Sequence, residues 1–269
     1  METISRERTI LDRIVEARRE SIAHRKRVLP DVALKLAVGK ADPPRDFAGA
    51  LSRAGFNVIA ELKKASPSRG VIRGDYAPAE LAPKLEGAGA AALSVLTEEE
   101  FFLGSLADLK AARKATHIPV LRKDFIIDPW QVWEARAAEA DSFLLIAAIL
   151  SDAQLAELLS AGRELGMEPL VEVHTHAELA RALAADARIL GINNRDLRTF
   201  EVRLETSLGL IHEVPRGRIA VSESGLRSHA DLLRLRDAGF QAFLVGELLM
   251  QAEDPGSALR ALLAPGGAA

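Results

Sequence analysis

The sequence predicts an α/β protein, a single (β/α)8 TIM barrel preceded by an N-terminal helical extension, and three observations predict it. Eight short apolar runs alternate with longer amphipathic stretches rich in Ala, Leu, Glu and Arg. The runs are apolar almost throughout, as strands of a parallel sheet covered on both faces are, whereas a half-exposed sheet alternates apolar with polar. No Pro/Gly/Ser-rich linker and no shift of composition divides the 269 residues. The expectation is therefore one domain over residues 1–269, with residues 1–45 as an extension capping the barrel. The competing architecture is an open doubly wound sheet, which eight strands would make long and which calls for G-x-G-x-x-G after its first strand; the sequence has no such run there.

In the extension, Ile10, Ile14 and Ala17 recur at helical spacing, and a second helix is expected around Val32 to Val38. Strands are expected at NVIAEL (57–62), AALSVLT (91–97), IPVLRKDF (118–125), FLLIAAI (143–149), EPLVEV (168–173), ILGINN (189–194), RIAVSES (218–224) and AFLVGE (242–247). Helices fill the intervals at Pro78 to Gly87, Leu106 to Ala115, Pro129 to Ala138, Ser151 to Gly166, Thr175 to Ala184, Glu205 to Glu213 and Ser228 to Asp237. Ser151, Thr175 and Ser228 are residues that cap a first turn, and Gly87, Gly166 and Gly239 are residues that end a last one.

Composition excludes several classes of function. A hydrophobic content of 48% is too high for a disordered chain. A net charge of -3 provides no basic field for nucleic acid or for an anionic membrane, so any anion site must be local. Without cysteine there is no disulfide, no thiolate ligand and no cysteine nucleophile. The first twenty residues are charged throughout, with no apolar core of a signal peptide, and the longest apolar run, FLLIAAIL from Phe143, is far short of a membrane span. A soluble, cytoplasmic, monomeric protein is expected.

A barrel carries its chemistry at the C-terminal ends of its strands, and ionisable residues gather there. Glu61 and Lys63 end the first strand, Lys123 and Asp124 the third, Glu172 and His174 the fifth, Asn193, Asn194 and Arg195 the sixth, and Ser222, Glu223 and Ser224 the seventh. For any one residue, an ion-pair network closing the barrel top is an equal explanation; for the whole set an active site is the better one. Glu61 and Lys63, two apart, also share a strand face and can pair with each other. Gly225 and Gly246 follow the seventh and eighth strands, where barrels often hold a phosphate and where a missing side chain lets backbone N–H groups approach an anion. Ser66-Pro67-Ser68, after the first strand, offers either hydroxyl donors or a capped helix start. His174 and His176 resemble a metal pair only superficially, since no third ligand stands nearby in sequence, and they read as a solvated loop. Trp130 and Trp133, three apart, read as helix packing residues.

The runs ELKKASPSRG, SVLTEEEFFLGSLADL, LRKDFIID, LVEVHTHAEL, GINNRDLRTFEV, VSESGL and FLVGELLM, in that order, closely resemble the indole-3-glycerol phosphate synthase family. The resemblance covers nearly the whole chain; LRKDFI and GINNRDL are its specific parts, while VSESG and LVGE fit several phosphate-binding barrels. It implies a lyase of tryptophan biosynthesis that uses neither metal nor organic cofactor. The implied reaction converts 1-(2-carboxyphenylamino)-1-deoxyribulose 5-phosphate to indole-3-glycerol phosphate by decarboxylating and dehydrating ring closure. By the same resemblance Lys123 matches the general acid that protonates the sugar carbonyl oxygen and Glu172 the general base of the dehydration. Lys63 matches a group beside the substrate carboxylate and a second acid. Glu61 and Asn193 match residues that orient the substrate and the lysines, and Arg195, Glu223 and Ser224 match further active-site positions. Ser66, Pro67, Phe102, Phe125, Leu197 and Leu244 match substrate-binding positions, with plain core packing the better reading for Leu197 and Leu244 taken singly. Ser224, Gly225, Gly246 and Glu247 match the phosphate site, with the Glu247 backbone N–H facing the anion and its carboxylate turned away. Two alternatives stand beside this reading. One is another phosphate-binding barrel of the same pathway, which leaves Lys63, Lys123 and Glu172 together unexplained. The other is a catalytically silent phosphate-ligand barrel, which would be expected to have lost an acid or a base.

Overall fold

Eight parallel strands close on themselves in a computed structural model that describes residues 9–196 and 199–265. They are β1 (Asn57–Leu62), β2 (Ala92–Leu96), β3 (Val120–Lys123), β4 (Ser142–Ile146), β5 (Leu170–Val173), β6 (Ile189–Asn193), β7 (Ile219–Glu223) and β8 (Ala242–Val245). Each pairs with the next, and β1 pairs with β8, so that Ile59 stands opposite both Ala92 and Leu244. The helices are α1 (Ile10–Val28), α2 (Asp31–Val38), α3 (Phe47–Leu51), α4 (Pro78–Gly87), α5 (Leu106–Ala115), α6 (Pro129–Ala137), α7 (Asp152–Glu164), α8 (His176–Ala184), α9 (Glu205–Leu210), α10 (His229–Ala238), α11 (Glu247–Gln251) and α12 (Pro255–Leu263).

The caps act where the sequence places them. Ser151, Thr175 and Ser228 accept hydrogen bonds from the backbone of Gln154, Glu178 and Asp231, satisfying donors that the first helical turn cannot. Three expectations need correction. The fourth strand stops at Ile146, and Ala147–Ile149 turns into a 3-10 segment. Ser66-Pro67-Ser68 is the turn of a small hairpin pairing Ala65–Ser66 with Gly70–Val71, and no helix starts until Pro78. The helices α3, α11 and α12 are additional; the first two have five residues each, too few for a helical period to register.

Alternation along the strands sorts side chains into two cores. Ile59, Ala92, Leu121, Leu170, Ile189, Val221 and Ala242 point inward and fill the barrel. Val58, Ala60, Val120, Val171, Leu190 and Phe243 point outward and pack with Leu81, Leu109, Val132, Leu155, Leu179 and Leu232 of the helices. The inward parity continues to the mouth: two residues beyond Ile59, Leu121, Leu170 and Val221 come Glu61, Lys123, Glu172 and Glu223, and two further on from Glu61 comes Lys63.

The segments before β1 meet both ends of the barrel. Phe47 and Leu51 of α3 join the interior cluster from the end where the strands begin, and the Asn57 amide donates to the carbonyls of Leu51 and Gln241. At the other end Ile14 of α1 clusters with Phe101, Phe102 and Phe125. Ion pairs hold α1 there: buried Arg18 lies 2.9 Å from Asp124, the partly exposed Arg25 lies 2.6 Å from Glu134, and buried Arg122 stands 2.9 Å from both acids. Removing one partner of such a network strands a buried charge at a cost of about 3–5 kcal/mol. Trp130 and Trp133 pack against Ile22 of α1 and Leu34 of α2, as packing residues should.

Candidate active site

At the C-terminal ends of the strands lies a cavity of about 740 Å³. Glu61, Lys63, Ser66, Pro67, Phe102, Lys123, Phe125, Glu172, Asn193, Arg195, Glu223, Ser224, Gly225, Leu244, Gly246 and Glu247 all line it. Leu197 lies outside the described residues. Three neighbours from the same ring have their side chains engaged elsewhere, although Asp124 still borders the cavity. Asp124 has its carboxylate bound to Arg122, Thr97 and Arg18, Asn194 donates to Ser222 and the carbonyls of Glu223 and Ser224, and Ser222 meets Ser207. Their even or odd place in the strand, opposite to that of Lys123, Asn193 and Glu223, decides this.

The floor of the cavity is a set of buried charges. Lys123 Nζ donates to Glu172 at 3.1 Å and to Glu223 at 3.0 Å, and Lys63 Nζ donates to Glu61 at 2.7 Å. Burial opposes the Lys123 charge, but Glu223, Glu172 and Glu61 outweigh it and push its pKa above the usual lysine range. Burial likewise opposes ionisation of Glu172 and Glu61, yet Lys123 and His174 hold Glu172, and Lys63 and Lys123 hold Glu61, below the ordinary carboxylate range. Glu223 is the group left over. Burial, and the nearby Glu172 and Glu61 charges, push its carboxyl up to about 7 despite Lys123. Its Oε1 makes no hydrogen bond with the protein. Room for that oxygen exists because position 191 is glycine; a Cβ there would fall 2.0 Å from it.

The raised Glu223 carboxyl gives a signed expectation. The folded state holds this proton more tightly than the unfolded chain, so its contribution to stability is present at low pH and is lost as pH rises through about 7. Thermal melts of the ligand-free protein and of Glu223→Gln should diverge accordingly, the variant losing less Tm than the parent between mildly acidic and mildly alkaline pH. Equal losses would contradict the assignment.

Around this floor stand the walls. The Phe102 and Phe125 rings lie 6.1 Å apart, and the Glu98 carboxylate accepts the backbone N–H of Phe101 and Phe102, fixing the loop that carries them. Ser224 and Gly225 are both in the left-handed region, at φ 67° and 83°. A non-glycine residue held there is strained, and such strain gathers at ligand sites. Gly246 gives space to Glu61, whose Oε1 would lie 2.4 Å from a Cβ. The Glu247 carboxylate reaches across the mouth to Arg69 at 2.8 Å and Arg195 at 3.3 Å. Sequence reasoning missed Arg69, Phe200, Arg227 and the α1 residues Ile10, Leu11 and Ile14, which also line the cavity. Arg69 lies in the ELKKASPSRG run beside the predicted residues, and the extension is expected to cap the barrel, but nothing local in α1 says which of its side chains reach the cavity.

His174 departs from its expected place in a solvated loop. It is largely buried, with Nε2 3.5 Å from Glu172 and Nδ1 3.3 Å from Glu178. His176 is exposed and pairs with Glu213. Among the described residues no cluster of His, Asp and Glu is arranged to hold a metal, and no helix is long and apolar enough to cross a membrane.

Residues 11–262 match the family model described as indole-3-glycerol phosphate synthase. The chain belongs to the indole-3-glycerol phosphate synthase family. Among curated relatives, the indole-3-glycerol phosphate synthase of Acidithiobacillus ferrooxidans is 51% identical over 257 residues, covering 94% of this chain and 98% of the relative. That of Aromatoleum aromaticum is 49% identical with the same coverage. Of solved structures, 3-hexulose-6-phosphate synthase from Salmonella typhimurium superposes with a TM-score of 0.60 at 15% identity, over 76% of this chain and 95% of that one. Thiamine phosphate pyrophosphorylase from Pyrococcus furiosus does so at 0.57 and 16%, over 78% and 94%; these two likenesses concern the barrel alone. As a member of the indole-3-glycerol phosphate synthases the chain is a carboxy-lyase of tryptophan biosynthesis.

Proposed function

We propose that the cavity closes the indole ring of 1-(2-carboxyphenylamino)-1-deoxyribulose 5-phosphate, with Lys123 as general acid and Glu172 as general base. The observation that carries this division is the Lys123 ammonium between two buried carboxylates, charged and aimed inward, beside a Glu172 held ionised. Attack of the carboxylate-bearing ring carbon on the sugar C2 carbonyl builds negative charge on the carbonyl oxygen, and an ammonium within reach neutralises it by proton transfer. Loss of carbon dioxide restores aromaticity. Removal of the C2 hydroxyl as water then needs a base for the C1 proton, for which Glu172 is in the right form, and an acid for the departing oxygen. Lys63 beside Glu61 is the second acid and faces the substrate carboxylate; Glu61 and Asn193 orient the reacting groups. Phe102, Phe125, Pro67 and Leu244 provide the apolar slot for the aromatic ring. The chain works as one barrel with its first 45 residues as a cap, in the cytoplasm and as a monomer, with no metal or organic cofactor. Adding the anilino-deoxyribulose phosphate in the presence of a chelator and without nucleotide should produce indole fluorescence. No fluorescence, or fluorescence only after a divalent ion is restored, would refute this reading.

The phosphate is assigned to Ser224, Gly225, Gly246 and Glu247, with Arg227 on the same wall. Sulfate or inorganic phosphate should then compete with substrate. Gly225→Val, which forces a branched residue into a left-handed conformation against Val202, should raise KM more than it lowers kcat. Gly246→Val also displaces Glu61 and should depress kcat as well. Unaltered sulfate competition in both variants would remove the anion from these loops.

A further inference from the structure

Of the buried titratable groups beside the floor of the cavity, His174 has no part in the chemistry above. It leaves β5 two residues after Glu172 and faces two acids from two elements, Glu172 on its own strand and Glu178 on α8. Glu178 is bound to it twice, accepting the His174 backbone N–H at 2.7 Å as well as facing Nδ1. Toward the cavity, Nε2 is buried, makes no hydrogen bond, and lies 3.5 Å from Glu172 Oε1, while Lys123 takes Oε2 of the same carboxylate. The Glu172 carboxylate is thus flanked at both oxygens by a cation donor, one of them able to titrate near neutral pH.

We propose that His174 is a positioning residue for the reaction: its imidazolium ties Glu172 to Glu178 and keeps the base charged and pointed into the cavity. The proposal rests on the assignment of Glu172 as the base. In the doubly protonated ring Nδ1–H serves Glu178, and the charged Nε2 side stands 3.5 Å from Glu172 Oε1 as an ion pair without a hydrogen bond. When the ring loses a proton, the one that stays is held by Glu178, and a lone pair then faces Glu172 Oε1 and repels it. The groups facing His174 are Glu172 of β5, Glu178 of α8 and, farther off, Glu223 of β7; burial disfavours the imidazolium, but Glu178 and Glu172 outweigh burial and raise its pKa. Activity should therefore fall on the alkaline side as His174 deprotonates, above the ordinary histidine range.

Three variants and two readouts decide the matter. His174→Ala should lower kcat by up to about 100-fold with little change in KM, as expected when a catalytic group is misplaced rather than removed. His174→Gln, which keeps a donor but cannot titrate, should restore most of that loss and abolish the alkaline fall. Glu178→Gln takes away an anion from the imidazolium, so the His174 titration followed by NMR, and the alkaline limb of kcat with it, should move to lower pH. A merely structural histidine would lower Tm and kcat together in His174→Ala and leave the limb in place in His174→Gln and Glu178→Gln, and that result overturns the proposal. If His174→Ala does not fold, the other two variants carry the same decision. Glu172→Gln separates the two readings: unimpaired turnover there refutes the base, whereas a His174 titration that moves in neither Glu172→Gln nor Glu178→Gln refutes only the coupling.

Discussion

Lys123→Met is expected to lower kcat by roughly 100- to 10,000-fold, the range that general acid catalysis spans, while KM moves far less. The methionine keeps most of the stem and the packing but removes the proton, and it removes the charge that lies 3.1 Å from Glu172 and 3.0 Å from Glu223. Two buried carboxylates then face each other without a cation between them, and at least one takes up a proton near neutral pH. Part of the stability should be lost with the pair, since an unpartnered buried charge is costly, so a melting curve must accompany the kinetics. The decisive reading is kcat in folded protein under saturating substrate. A near-wild-type value would sink the proposed mechanism even with family and fold unchanged.

Glu172→Gln should be comparably severe at a different step. Ring closure and decarboxylation do not require this base, whereas the proton on C1 does, so single-turnover experiments should show carbon dioxide released ahead of indole. A ring-closed, decarboxylated intermediate should accumulate in this variant and be missing from Lys123→Met, in which closure itself is slowed. Carbon dioxide and indole appearing together in both variants would mean that the two residues act at one step, and the division of labour would fail.

All eight strands were legible in the sequence because parallel strands covered on both faces are continuous apolar runs; their ends were legible to within about two residues where charges begin, and not at the fourth, whose apolar run continues past Ile146 into a 3-10 turn. The family resemblance selects Lys123, Asn193 and Glu223; what the strand pattern by itself does not resolve is which of two adjacent polar residues enters the site. Lys123 and Asp124, Asn193 and Asn194, Glu223 and Ser222 are neighbours of similar polarity, and only parity counted from Leu121, Ile189 and Val221 separates the inward member from the one bound to Arg122, Ser207 or the helices. That count was available but demands knowing which apolar residue is interior. The long-range parts were not legible at all. Nothing near Arg18 marks it as the partner of Asp124, nor does anything near Arg69 and Arg195 foretell that Glu247 sits between them. His174 differs: its partner Glu178 is only four residues on, but the polar run HTHAE gives no sign that the chain turns there so that the ring is buried between Glu178 and Glu172.

The alternation that puts Lys123 inside and Arg122 outside has a consequence for how this chain can change over evolutionary time. Along β3 the acid and the arginine that holds Asp124 and Glu134, the two acids facing α1, occupy consecutive residues of one strand. Deleting Leu121, or inserting a single residue between Val120 and Arg122, would therefore turn the arginine toward the substrate and the lysine toward Trp130's helix, losing both at once. Length variation among descendants of this sequence should be confined to the segments between strands and helices, such as the hairpin after Leu62, while the strand interiors accept only exchanges of one residue for another.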